Sequence, residues 1–376
     1  MIHPLQALAS LGQSPWLDNI ERRLLNTGEL ARLIQQGEIR GVTSNPSIFH
    51  NAIARSSDYD DLLSTLTADG CSPEEIYDHL VLRDICEAAD LFLPIYELTQ
   101  SEDGYVSLEV NPLLAQDSDS TLQEAQRLWN KVNRPNLMIK IPATREGLTA
   151  IRGAIAKGIN VNVTLIFSLK RYLEVMDAYL IGLEDRLEKG QTILEISSVA
   201  SFFISRLDTK ADKLLATFAH GDSAKAALAV SLSGKLAIAN AKMAYQQFKQ
   251  VFSSERFKFL ESHGGRVQRP LWASTSAKNP AYPDTYYVEP LIGPHTVNTM
   301  PPVTLAAFKD HGVAKVTVED DVPGAQMVFS DLDALGISIA NLTQELENEG
   351  VSSFVDSYQA LIKTIEQRRL VALQQG

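Results

Sequence analysis

The chain has 376 residues, 45% of them apolar and 21% charged, with a formal net charge of −12. That balance supports a large core and excludes wholesale disorder. An acidic surface repels DNA, RNA and anionic lipid, so an anionic small molecule would need a local basic pocket.

The N-terminus, Met1-Ile2-His3-Pro4, lacks a basic segment followed by an apolar run. No stretch of about 18 apolar residues follows, so no transmembrane helix is expected and a cytoplasmic location is the default. The two cysteines, Cys71 and Cys86, are too few for a disulfide scaffold. Along the chain, short apolar runs alternate with longer helical stretches, the rhythm of a parallel α/β sheet. Strands are expected near residues 15–19, 41–45, 105–110, 137–141, 159–165, 192–197, 270–274 and 286–291. Eight strands are the number that closes a (β/α)8 TIM barrel.

Between them, Ser72-Pro73-Glu74-Glu75 is a helix start, with a capping Ser, Pro at the first helical position and acids in the first turn. Residues 223–252 are Ala-rich, with Leu228, Leu232 and Leu236 on one stripe. Asn279-Pro280, Gly293-Pro294 and Pro301-Pro302 punctuate as loops between strands and helices. Val351, Val355, Tyr358, Ile362 and Ile365 mark an amphipathic C-terminal helix. The expected organisation is one barrel domain over 1–376, with 302–376 a helical extension packed on the outside or over the mouth.

Alternation along the strands sharpens this. Val106, Leu108 and Val110 share one face and Ser107 and Glu109 the other. Leu137, Ile139 and Ile141 oppose Met138 and Lys140, and Asn160, Asn162 and Thr164 share one face of the next run. Buried charge is costly unless paired, so Glu109 and Lys140 fit a barrel only near its C-terminal rim, where barrel active sites lie.

Each candidate also has a plainer reading. Lys140 alone could be an edge residue with its head in water, although its run is too apolar for an exposed edge. Glu109 alone could be an ion-pair partner, Asp18 a turn residue, Asn45 part of an ordinary turn before a helix, and Arg206 a surface arginine. Together, two carboxylates beside a desolvated amine nucleophile would supply the acid–base steps of imine chemistry. No metal is expected, because the seven histidines contain no i, i+4 pair. No P-loop, Gly-x-Gly-x-x-Gly or Gly-x-Ser-x-Gly run points to nucleotide binding or serine hydrolysis.

Three blocks then resemble one family. Gly41-Val42-Thr43-Ser44-Asn45-Pro46-Ser47, Leu137-Met138-Ile139-Lys140-Ile141-Pro142-Ala143-Thr144 with Glu146-Gly147, and Asn160-Val161-Asn162-Val163-Thr164-Leu165-Ile166-Phe167-Ser168 are similar to transaldolase signatures. The resemblance runs from about Asp18 to about Met300, and the length is like that of the longer bacterial branch. It implies a (β/α)8 barrel related to class I aldolases, with Lys140 forming a Schiff base to the C2 carbonyl of a ketose phosphate. Asp18 would take the proton of the C4 hydroxyl as the C3–C4 bond breaks, and Glu109 with Thr164 would hold a proton-shuttling water. Asn45 and Asn162 would bind the dihydroxyacetone moiety, and Ser201 and Arg206 the phosphate. Where the commoner form of the family has a late Ser-x-Arg unit, this chain reads Ala273-Ser274-Thr275-Ser276-Ala277-Lys278-Asn279. Ser274 and Lys278 are the matching pair, with Ser276 as the alternative hydroxyl. The implied partners are sugar phosphates only, with no cofactor, nucleic acid or membrane, and nothing in the sequence sets an oligomeric state. The alternatives are a fructose-6-phosphate aldolase-like enzyme and a non-catalytic sugar-phosphate-binding barrel.

Overall fold

A computed structural model describes residues 3–218 and 223–375. Met1 and Ile2 of the N-terminal segment lie outside the described residues. Eight parallel strands form a closed barrel in chain order: β1 Gln13–Leu17, β2 Gly41–Thr43, β3 Tyr105–Glu109, β4 Leu137–Pro142, β5 Val161–Ile166, β6 Ser198–Phe203, β7 Arg269–Ala273 and β8 Thr296–Met300. The fold is therefore the expected (β/α)8 TIM barrel, and β8 closes it by pairing with β1 from Gln13↔Thr296 to Leu17↔Met300.

Two expected strands fall elsewhere. The run 192–197 is loop, although Ile193 and Ile196 are buried. Asn160 explains where β6 begins, because its side-chain oxygen accepts from the Ser197 amide at 2.9 Å just before the ladder starts at Val161↔Ser198. The run 286–291 contains a 3-10 turn, Glu289–Leu291, around Pro290, which has no amide proton to give a ladder. The true β8 has buried polar Thr296, Asn298 and Thr299, so apolar runs concealed it.

The 223–252 stretch also divides, into helices Ser223–Leu232 and Leu236–Phe252. Gly234, at φ +73°, supplies the left-handed break. Asp212 accepts from the Gly234 amide at 2.9 Å, which fixes the turn, and Asp208 from the Ala237 amide at 2.7 Å, which satisfies one first-turn amide of the second helix. The expected helix at Ser72 is present as Pro73–Leu98, with Ser72 and Glu75 forming a reciprocal capping box.

After β8, helix Pro302–His311 packs against Pro4–Ser10, and helix Val322–Ala334 packs against Leu236–Phe252. The 37-residue helix Ile339–Gln375 crosses the barrel mouth, meeting helices Pro46–Arg55, Pro73–Leu98 and Ser205–Thr217 and strand β5. Its buried line is Leu342, Leu346, Phe354, Tyr358, Leu361 and Ile365, whereas Val351, Val355 and Ile362 of the expected stripe are only half-buried. No described helix is long and apolar enough to cross a membrane.

Candidate active site

The C-terminal ends of the strands and the loops after them bring most of the predicted side chains into one chamber, with Glu109 and Asn162 directly behind its lining. Glu109 ends β3 directly opposite Lys140 of β4, and Lys140 stands opposite Asn162 of β5. Lys140 is 4% exposed. Its Nζ donates to the Glu109 carboxylate at 3.2 Å and to the Ser44 carbonyl at 3.1 Å. Above it lies the Phe354 ring, its centroid 5.6 Å from Nζ.

Asp18 follows β1, with its amide still bonded to the Met300 carbonyl at 2.8 Å. The Thr43 hydroxyl donates to its carboxylate at 2.7 Å and lies 2.6 Å from the Thr299 hydroxyl. Asp18 has partial surface access yet sits deep enough for desolvation to raise its pKa, against the opposing pull of Lys140. Desolvation likewise raises the Glu109 pKa; Lys140 lowers it and the Asp18 charge adds to the rise. Arg206 and Lys278 also pull the Asp18 pKa down, so Asp18 answers to three cations and Glu109 to Lys140 alone.

A bulge displaces the β5–β6 register between Val163 and Ile166, and Leu165 takes a left-handed φ of +60°. Such bulges re-aim side chains beside functional sites. Thr164, just before it, lines the chamber, and its buried hydroxyl has no hydrogen-bond partner among the described residues. Asn162 stands one layer lower, donating to Ser107 at 3.0 Å and accepting from Ser201 at 2.7 Å. Asn45 caps helix Pro46–Arg55 with its side-chain oxygen, 3.0 Å from the Ile48 amide, which leaves its NH2 unused by that bond.

Two cations stand on the far wall. Arg206, in the first turn of helix Ser205–Thr217, lies over the Phe203 ring at 5.3 Å and has no ion pair among the described residues. Lys278 is exposed and donates to Ser276 at 2.7 Å, while Ser274 faces Ser205 at 3.0 Å between hydroxyl oxygens. Ser274 holds a left-handed φ of +57°. The chamber measures about 210 Å³. Asp18, Asn45, Lys140, Thr164, Ser201, Arg206, Ser274 and Lys278 all line it. Glu109 and Asn162 do not; they abut the lining from behind and below, and Glu109 also borders a separate cleft with Tyr77, Asn111 and Tyr358. Arg206 and Lys278 also line a groove of about 910 Å³ beside the chamber, between helix Ser205–Thr217 and the C-terminal helix. That groove holds neither Lys140 nor Asp18, so the smaller space is the one equipped for chemistry.

The profile of the transaldolase/fructose-6-phosphate aldolase family matches residues 15–365. The chain belongs to this family. Similar proteins include the transaldolase of Thermobifida fusca, 49% identical over 366 residues that cover 97% of this chain and 98% of the relative. The Saccharopolyspora erythraea transaldolase is 48% identical, with 97% of each chain covered, and the Mycobacterium bovis transaldolase 46% identical over 96% of this chain and 95% of its own. The family match extends past β8 into the C-terminal helix, further than the signature blocks reach.

Sequence reading passed over several members of the transaldolase-family chamber. Thr43 and Ser44 lie inside a signature block, and Phe203 lies two residues after Ser201 on the same strand face, so alternation could have found it. Thr299 sits on the strand that was misplaced. Phe354 carries no local signal, because only the path of the last helix brings it over Lys140. Among the described residues, no group of three or more His, Cys, Asp or Glu is arranged to hold a metal.

Proposed function

We propose that this protein is a transaldolase that carries a dihydroxyacetone unit on Lys140 from a ketose phosphate, sedoheptulose 7-phosphate or fructose 6-phosphate, to an aldose phosphate. The observation that carries this reading is a 4%-exposed amine wedged against Glu109 and sharing a chamber with Asp18, two carboxylates whose pKa values burial raises.

An ammonium must lose a proton before it can attack a carbonyl. Glu109, in contact with Nζ and made more basic by burial, can take that proton. The amine then adds to C2, and loss of water leaves an iminium. Thr164, with its unpartnered hydroxyl, is suited to hold the water that moves protons in that step. Asp18 takes the C4 hydroxyl proton as the C3–C4 bond breaks. The released electron pair flows into the iminium and leaves an enamine, so no external electron sink is required. The aldose phosphate departs, an acceptor aldehyde takes its place, and the steps reverse. Asn45 and Asn162 orient the dihydroxyacetone hydroxyls, directly or through the Ser107–Ser201 layer. Arg206 and Lys278, with Ser201 and Ser274 or Ser276, supply the phosphate site, where an unpaired guanidinium can donate two parallel bonds.

On this reading the substrates are sugar phosphates of the pentose phosphate pathway, the site of action is the cytoplasm, and 302–376 works as part of a single barrel domain. Borohydride reduction in fructose 6-phosphate, followed by mass spectrometry, tests it. A dihydroxyacetone-derived adduct on Lys140 is expected, and an unmodified lysine would refute the covalent route.

A further inference from the structure

We propose that Phe354, on the C-terminal helix, is a specificity-determining residue that shuts water out of the chamber and so makes the enzyme transfer its carbon unit rather than release it. This rests on the Schiff-base reading above.

Phe354 is the part of the last helix that enters the chamber. It is 4% exposed, lines the same space as Asp18 and Thr164, and covers the Lys140 amine. Its position is fixed by close seating of the helix. Gly350, one turn earlier, meets Leu165 so closely that a methyl group there would lie 2.9 Å from the leucine Cδ2. One turn later, Ser357 shares a 2.7 Å hydroxyl contact with Ser47, and Tyr358 accepts from Asn111 at 3.4 Å. The roof is therefore set from both sides by the strand that carries Thr164 and by the helix that follows Asn45. The chamber, about 210 Å³, is below the roughly 300–1,000 Å³ usual for ligand pockets, and Phe354 closes it on the side of the C-terminal helix.

After cleavage the enamine has two fates. In transfer, its C3 bonds to the acceptor aldehyde carbon, and the aldehyde oxygen takes the proton held by Asp18. In release, that proton goes to C3 instead and regenerates the iminium. Water then adds at C2, the C2–Nζ bond breaks, both water hydrogens end on nitrogen, and free dihydroxyacetone leaves. The release branch consumes a water molecule that transfer has no use for at this stage. An apolar ring over Nζ opposes that branch by keeping bulk water from the iminium, so that only the water held by Thr164 serves the hydrolysis that ends each cycle.

The test compares the unaltered enzyme with Phe354→Ala and Phe354→Val in fructose 6-phosphate, with and without erythrose 4-phosphate. It measures free dihydroxyacetone released per sedoheptulose 7-phosphate formed, together with borohydride trapping. Trapping is expected in all three proteins, with the release-to-transfer ratio raised by at least about tenfold in F354A and by less in F354V. A structural defect alone lowers both fates together and leaves the ratio unmoved. Trapping in the unaltered enzyme with ratios within about twofold in both variants would overturn the role of Phe354 alone. No trapping in the unaltered enzyme would overturn it together with the Schiff-base reading. Should F354A not fold, the F354V ratio decides by the same criterion.

Discussion

The barrel buries charge at both ends, and the two ends treat it differently. At the N-terminal end, Asp103 accepts from Ser14 at 2.7 Å and from Arg269 at 3.0 Å, with Arg40 and Trp16 each at 3.4 Å. Arg269 also donates to Ser14 at 2.9 Å and to the Glu102 carbonyl at 2.8 Å. There, two arginines serve one carboxylate. At the mouth, Lys140 pairs with Glu109 and reaches Asp18 only through space, and among the described residues the buried Thr164 hydroxyl is unpartnered and Arg206 has no ion pair. A cluster whose carboxylate is ringed by donors holds structure in place; one with unpartnered groups keeps bonding capacity in reserve for a substrate.

The contrast can be broken in five ways. The largest effect is expected for Lys140→Ala, which should lower kcat by at least about 10⁴-fold, the scale of losing a covalent nucleophile, while circular dichroism stays native. Near-normal turnover would mean that the mouth is not organised around this amine. Asp103→Ala should do the reverse, costing about 3–5 kcal/mol in urea denaturation because Arg269 is left buried and unpaired. Its kcat should hold under conditions where it remains folded. A large fall in kcat without loss of stability would erase the division between the two ends.

Arg206→Ala comes next. It should raise KM for phosphorylated substrates by about 10–100-fold, the worth of roughly 1.5–3 kcal/mol for a charge-assisted bond, with kcat little changed. An unchanged KM would remove Arg206 from the phosphate site. The pH dependence is a finer test. Asp18 and Glu109 have pKa values raised by desolvation. A carboxyl with a raised native pKa binds its proton more tightly folded than unfolded. Its stabilising contribution is therefore complete below the ordinary carboxylate pKa and is lost as pH rises through the folded value. Activity runs the other way, because Asp18 must be ionised to accept the C4 proton. The acid limb of kcat/KM should thus lie above the usual carboxylate pKa of about 4, in the range where stability is falling. A limb at about 4 would show that the mouth is wetter than its burial implies. The smallest effect, none, is expected from EDTA, and inhibition by it would bring a metal into the mouth.

Much of this was legible because local patterns carry it. Alternation in β3, β4 and β5 placed Ser107, Glu109, Met138, Lys140, Asn162 and Thr164 on the inward faces, and the capping box at Ser72 announced its helix. What failed was also local: Ile193 and Ile196 mimic a strand but plug a loop, and β8 carries buried polar Thr296, Asn298 and Thr299 among its five residues, which breaks the apolar run that marks a strand. The helix break at Gly234 is stabilised by Asp208 and Asp212, distant carboxylates that no window around residue 234 contains.

The sequence by itself determined the strand faces, the amine and its carboxylates, because a two-residue period and the cost of burying charge both act within a few positions along the chain. Only the tertiary structure decided which groups meet. The Glu109–Lys140 contact depends on strand register, the Ser44 carbonyl and Thr43 on barrel closure, and Phe354 on the route of a helix more than two hundred residues after Lys140 in the chain. Such contacts form only when the whole barrel has packed, so no short stretch of sequence can encode them.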